Sequence, residues 1–509
     1  MAQSRIKNTS KNLIYAIILQ VVTLSFVFIV RVIFVKQLGA SYLGISGLFS
    51  NILSVLSLAD LGMTTVLMYS LYKPLAENNQ VKISQYINYF KKVYTVIAIV
   101  VAILGVALIP FLKYVVNLPE EMPNIYLYYI LILANSVISY LFVYKTTLVS
   151  ADQKMYIITK YNTIFQFILF FLQISILLFT SNFALYLTSN IVCTLLSNIF
   201  KVKKTEQIYP FLKKYKSEKL PKEDRKNLFT NLYSLFFYKL GAVMQNNIDN
   251  ILISIFAGTI TVGYYSNYST IILYVTSFLT LIFTSLKASV GNYIVTNNKK
   301  EQLKMYNILE MYNFWIVAFC SICFIVLIPD FIQIFFGEEY ILGYSLLIIV
   351  VLNFYTSNIR QTLWIYRETT GMFTKTKHIT IVTSLVNFVF SIILGYFYGL
   401  LGVLGATLIA NMIYSWWKEP ILTYKEYYNT SSKPYFITYI KRIILAIILC
   451  FITYASCNLL PTNTSIYINF IFKMCLCLII PNLIILLIYR KSDAFSYLKT
   501  TLLKLKERN

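Results

Sequence analysis

Fourteen apolar runs of roughly 17 to 29 residues succeed one another along this 509-residue chain, each about the length a helix needs to cross hydrocarbon. They fall near 13–36, 43–71, 93–112, 125–148, 161–180 and 183–200, then near 228–256, 262–290, 314–336, 341–365, 379–398 and 400–417, with two more near 437–459 and 466–489. Inside a bilayer every backbone N–H and C=O has to be satisfied without water, so runs of this kind read as helices. Composition agrees. With 58 % hydrophobic residues and a mean hydropathy of +0.68, the chain carries more apolar surface than a water-soluble core of its length could hide. The expected fold class is therefore an all-α polytopic membrane protein with fourteen transmembrane helices. The basic lead MAQSRIKNTSKN precedes an apolar run longer than a signal-peptide core and without a small-residue cleavage site, so the first run reads as an uncleaved span.

A net charge of +24 would suggest nucleic acid as a partner in a soluble protein, and here the positions of the charges argue against it. With the N-terminus placed inside, 36 of the 44 Lys and Arg residues fall in inner loops, at span edges facing them, or in the tails. Only Lys36 and Lys113 fall outside. Such an asymmetry orients a membrane protein, with both termini in the cytoplasm of a cell membrane, because basic loops resist translocation and the inner leaflet attracts them. The seven cysteines lie in or near predicted spans, in no disulfide or zinc pattern, and Cys320 and Cys323 read as packing residues.

The stretch RVIFVKQLGASYLGISGLFS at 31–50 has an echo in the second half of the chain, at positions numbered 219 higher. Gly39, Gly44 and Ser50 match Gly258, Gly263 and Ser269; Ser70 matches Ser289, Asn78 and Asn79 match Asn297 and Asn298, Pro110 matches Pro329, and Glu120 matches Glu339. Glycine, proline and asparagine mark turns and helix ends, which a repeat preserves. Six spans per copy is an even number, so both copies enter the membrane from the same side. They would be two six-helix bundles facing each other, related by a pseudo-two-fold axis along the membrane normal, plus two C-terminal helices. The division expected is 1–215 for the first bundle and the start of a cytoplasmic linker, 216–425 for the second bundle, and 426–509 for the added helices and a basic tail.

An ionisable side chain inside hydrocarbon costs on the order of 2.5 to 3.5 kcal/mol on insertion scales, so each one marks a partner, a wet cavity or a function. The deepest are Arg31, Asp60, Lys239 and Asp249; Lys145, Lys287 and Arg360 lie toward inner span ends, where a cavity role and snorkelling to the interface are both open. With Lys473, cations outnumber acids six to two, which suits an anionic cargo such as a phosphate. The candidate cationic cavity comprises Arg31, Lys239, Lys145, Lys287 and Arg360. The seventh run carries GAVMQNNIDN, too hydrophilic for a lipid-facing helix, so Gln245, Asn246 and Asn250 are candidate cavity-lining residues. Adding 219 to Arg31 gives Asn250, beside Asp249. Arg31 and Asp249 could pair as an outer gate, or each could be satisfied within its own bundle. Asp60 and Asp249 are the only deep acids for ion coupling. No motif for a cofactor, metal or nucleotide appears.

The run RVIFVKQLGASYLGISGLFSNILSVLSLADLGMTTVLMYSLYKPLAENN, with ISIFAGTITVGYYSNY and KASVGNY in the second copy, resembles the polysaccharide repeat-unit flippases of the multidrug/oligosaccharidyl-lipid/polysaccharide (MOP) exporter superfamily. The resemblance covers essentially the whole chain. It implies alternating access and a polyprenyl-pyrophosphate-linked oligosaccharide moved to the outer leaflet for capsule or related surface polysaccharide. It also implies membrane lipids, a polysaccharide polymerase and glycosyltransferases as partners. Of the arginines such flippases use in their first spans, only Arg31 matches, by its spacing before LGAS. A lipid II flippase and a multidrug exporter of the same superfamily are the alternatives. An enzyme joining sugars would need a large outer loop, and the longest here, near 113–124, is short.

Overall fold

A computed structural model describes residues 2–56, 63–117, 122–152, 154–226, 228, 248–460 and 465–497, with side chains described from residue 20 onward apart from a few positions. Among the described residues 89 % are helical and none is in a strand. It forms two compact units, 1–263 and 264–509.

The first unit contains α1 (Ala2–Leu56), α2 (Met63–Ala76), α3 (Gln80–Ala107), α4 (Ile125–Tyr140), α5 (Val143–Ala151), α6 (Met155–Phe179), α7 (Phe183–Ile208) and α8 (Ile248–Ala257). The helix α9 (Thr259–Thr296) begins in this unit and continues into the second. The second unit continues with α10 (Lys299–Phe335), α11 (Tyr344–Asn358), α12 (Gln361–Thr369), α13 (Phe373–Ala410), α14 (Lys433–Asn458) and α15 (Ile466–Tyr489). Nine described helices are long and apolar enough to cross a membrane, ten if the bent pair α4–α5 is one span. Several are far longer than one crossing requires, among them the 37 residues of Gln20–Leu56 and the 51 of His378–Tyr428. Each of these two runs is broken by a glycine with positive φ, Gly39 (φ 83°) and Gly399 (φ 55°). Two runs in the sequence therefore merge into one helical stretch without losing the break between them. The chain is a multi-pass membrane protein.

Helix punctuation follows the sequence echo closely. Asn79 caps α3 by accepting from the Lys82 N–H, and its repeat counterpart Asn298 caps α10 by accepting from the Glu301 N–H. A side-chain acceptor there satisfies one of the donors that every helix start leaves open. Helices begin at Ile125 and Tyr344, which also correspond, and the short breaks after α4 and α11 lead into nine-residue helices in both places. Gly258 separates α8 from α9 with φ 90°, close to the 83° of Gly39.

In the first unit α7 packs on α4 and α6, α2 on α5, and α1 on α6. In the second unit α10 is central, touching α11, α14 and α15. The last two helices are thus built into that unit. Lys473 of α15 sits 2.6 Å from Asp330 of α10, and the Trp315 indole N–H donates to Asn482 Oδ1 at 2.7 Å.

Candidate functional site

Arg31 lies half-buried on α1, ahead of the Gly39 break, and its charge reaches Tyr186 of α7. One turn further, Phe34 meets Tyr186 edge-on with ring centres 5.0 Å apart, and Phe183 stacks edge-on with Tyr42 at 5.1 Å and Tyr128 at 4.8 Å. The guanidinium therefore adjoins an aromatic wall made by α1, α4 and α7. Asp249 and Asn250, at the start of α8, are half-buried in the same unit. Asp60, Lys239, Gln245 and Asn246 lie outside the described residues.

The α8–α9 junction is tied down by hydrogen bonds to the end of the apolar segment at 80–115. The Thr259 N–H donates to Asn117 O at 2.7 Å, the Asn117 N–H donates to Thr259 Oγ1 at 2.9 Å, and the Ser254 hydroxyl donates to Val115 O at 2.6 Å. Here the repeated glycines meet. A Cβ on Gly44 would stand 2.1 Å from Thr259 O and 3.3 Å from Gly263 N; a Cβ on Gly263 would stand 2.3 Å from Ala40 O and 3.2 Å from Gly44 N. The approach is reciprocal and backbone to backbone, so only glycine fits at either position. The sequence showed that these two glycines correspond; it carried no sign that they touch.

The three cations placed toward inner span ends are each matched by a carboxylate. Lys145 pairs with Glu206 of α7, which also faces Lys213 at 3.4 Å. Lys287 pairs with Glu368 at 2.6 Å, with both side chains nearly half exposed. Arg360 is buried: it donates to Ser415 Oγ at 2.7 Å, to Asn411 Oδ1 at 3.1 Å and to Thr356 O at 3.2 Å, with Glu419 Oε2 at 3.7 Å. Glu419 also holds Arg367 at 2.5 Å. Glu310 of α10 and Arg442 of α14 form a further buried pair at 3.1 Å. The count of six cations to two acids rested on span edges, which put Glu310 and Glu419 in loops and Arg442 with the basic residues before the thirteenth run. The helices continue past those edges and pack all three in the interior, and buried charges persist there because they are paired.

Each unit also contains a cavity. In the first unit, a polar pocket of about 300 Å³ is lined by Ser50, Leu53, Ser54, Ile132, Asn135, Ser136 and Tyr140. In the second, an apolar cleft of about 500 Å³ lies among α10, α11 and α14, with Ile322, Val351, Tyr355 and Phe451 on its walls.

No protein-family model and no curated protein sequence matches the chain. Solved structures do match in fold. A lipid II flippase, MurJ, in an inward closed conformation superposes with a TM-score of 0.69 at 14 % identity, over 94 % of this chain and 99 % of that one. An inward-facing multidrug resistance MATE family transporter of the MOP superfamily gives 0.59 at 13 % identity, over 77 % of this chain and 91 % of that one. A MOP superfamily transporter from Pyrococcus furiosus, described as having a binding pocket of reverse polarity, gives 0.53 at 14 % identity over 78 % and 90 %. The chain has the fold of MOP-type transporters, among them flippases and drug exporters.

Proposed function

We propose that the protein is a flippase that carries a polyprenyl-pyrophosphate-linked oligosaccharide from the cytoplasmic to the outer leaflet by alternating access, for capsule or another surface polysaccharide. The observation that carries this reading is the extent of the fold match. The lipid II flippase covers 94 % of the chain, whereas the MATE transporter covers 77 %, a difference about the size of segment 426–509. A drug exporter that matches less of the chain explains it less fully. On this reading the chain crosses the membrane fourteen times, with both termini cytoplasmic. Its two bundles, 1–215 and 216–425, share one plan, and 426–509 adds the last two helices. Arg31 and Lys239 meet the pyrophosphate, since guanidinium and ammonium groups bind phosphoryl oxygens strongly. Gln245, Asn246 and Asn250 line the wet path. Arg31 and Asp249 close the outer side as an ion pair, while Asp60 or Asp249 couples an ion.

In a strain lacking the protein, lipid-linked oligosaccharide should accumulate on the inner leaflet while peptidoglycan synthesis continues. Arrest of peptidoglycan synthesis would favour the second reading, a lipid II flippase, which the match to MurJ supports. Arg31→Asp and Asp249→Arg should each abolish transport and the double swap restore it; a double swap that fails to recover transport removes the gate.

A further inference from the structure

We propose that the polar pocket of the first unit is a carbohydrate site, taking one uncharged sugar ring of the cargo through its hydroxyl groups. The proposal rests on the flippase reading and adds the part of the substrate that this unit recognises.

The pocket's volume is about 300 Å³. That is at the lower edge of small-molecule sites and about ten times the space of one water, so it suits a ring and is too roomy for a dedicated ion. Its lining of three serines, an asparagine, a tyrosine, a leucine and an isoleucine holds no formal charge. A phosphate there would have no counter-charge, whereas a neutral hydroxylated ligand would need none.

Hydrogen-bond accounting makes the chemistry more specific. The Ser50 hydroxyl donates to Ser46 O at 2.7 Å and the Ser54 hydroxyl donates to Ser50 O at 2.8 Å. Each hydroxyl has one proton, committed to its own helix, so toward the pocket these oxygens act as acceptors. Asn135 Oδ1 is buried with no hydrogen-bond partner among the described residues. Polar groups converge from two helices, Ser50 and Ser54 one turn apart on α1 and Asn135 on α4, with Ile132, Ser136 and Tyr140 at four-residue spacing along the same helix, and the unpartnered acceptor among them is Asn135 Oδ1. These acceptors call for O–H donors. An unsatisfied amide oxygen within a membrane helix is costly, so the position is explained by a ligand that reaches it.

Ser50 keeps its counterpart Ser269 in the second copy, but most of the lining does not. Adding 219 to Ser54, Asn135, Ser136 and Tyr140 gives Leu273, Phe354, Tyr355 and Ile359, and the last three are buried. Apart from Ser50, the polar lining is therefore particular to the first unit.

The test uses the full-length protein in nanodiscs of phosphatidylethanolamine and phosphatidylglycerol. Saturation-transfer NMR is recorded with glucose, galactose, N-acetylglucosamine, glycerol and inorganic pyrophosphate, each at millimolar concentration. At least one sugar should give a signal, and Asn135→Ala and Ser54→Ala should each weaken its binding about fivefold to tenfold, the worth of one neutral hydrogen bond. The melting temperature and the response to pyrophosphate should not change. No signal from any sugar, equal signals in both variants, or glycerol competing as well as the sugars overturns the site. Should sugar binding respond as expected while the deletion strain moves its lipid-linked oligosaccharide normally, the site stands and the flippase reading falls. Inner-leaflet accumulation in that strain with no sugar binding has the opposite meaning.

Discussion

In the second unit, the buried acids are matched by arginines: Glu310 with Arg442, and Glu419 with Arg360 and Arg367, the two acids and Arg360 and Arg442 all buried. In the first unit, the polar residues around Ser50, Ser54 and Asn135 are neutral and surround open space. The repeat does not transmit either feature, since Glu310 corresponds to Lys91, Arg360 to Leu141 and Asn135 to Phe354. Ion pairs tie α10 to α14, and Arg360 and Arg367 at α12 to Glu419 in the segment 416–422, while the uncharged acceptors of the first unit border open space.

The contrast is most vulnerable at Glu419. Glu419→Ala leaves two arginines without their carboxylate and should destabilise the protein by about 3–5 kcal/mol, read as a large drop in melting temperature in detergent. Arg442→Ala should act similarly by stranding Glu310. A loss no greater than that of a surface mutant would show that these pairs do not lock the second unit.

Two glycines set the next test, of how tightly each unit packs its backbone. Gly44→Ala places a methyl 2.1 Å from Thr259 O and should cost about 1–3 kcal/mol, whereas Gly405→Ala, with open space around its Cβ, should be neutral or stabilise by up to about 1 kcal/mol. Equal melting temperatures for the two variants would refute the tight crossing at Gly44 and Gly263. The half-exposed Lys287–Glu368 pair should matter much less: Lys287→Met should change stability by no more than about 1 kcal/mol.

The smallest effect is expected at Asp152, in the turn after α5. Burial pushes its carboxyl up, and the Lys154 ammonium and Tyr209 hydroxyl, each at 2.6 Å, more than reverse this and hold it below the ordinary carboxylate range. A depressed folded pKa adds stability at neutral pH that is lost as pH falls through that value. The melting difference between the wild type and Asp152→Asn should therefore be constant from neutral pH to about pH 5 and shrink below about pH 4. A difference unaffected by acid would remove the charge from the account.

Much of the architecture could be read directly from residue order. Runs of apolar residues marked the helices, and Asn79, Asn298, Gly39 and Gly258 marked ends or breaks, whereas Pro329, Gly44 and Gly263 lie inside helices, where packing rather than a turn decides them. Asn79 and Asn298 cap helices as their matching positions suggested, because capping is decided within one turn of chain. The candidate site was less legible. Arg31 could be singled out as a charge in an apolar run, but nothing near Glu310 in sequence announced Arg442, which lies four helices further along the chain.

Residue order alone pointed to the membrane and a helical fold, and it holds the asymmetry of charge and the echo between the halves, since all four depend on local composition and period. Folding in three dimensions was needed to set Gly44 against Gly263, to give Glu419 its two arginines, and to gather Ser50, Ser54 and Asn135 around one pocket. Those contacts join residues that no helical period connects. They depend on which helix faces are brought together, and packing of the whole chain fixes that choice.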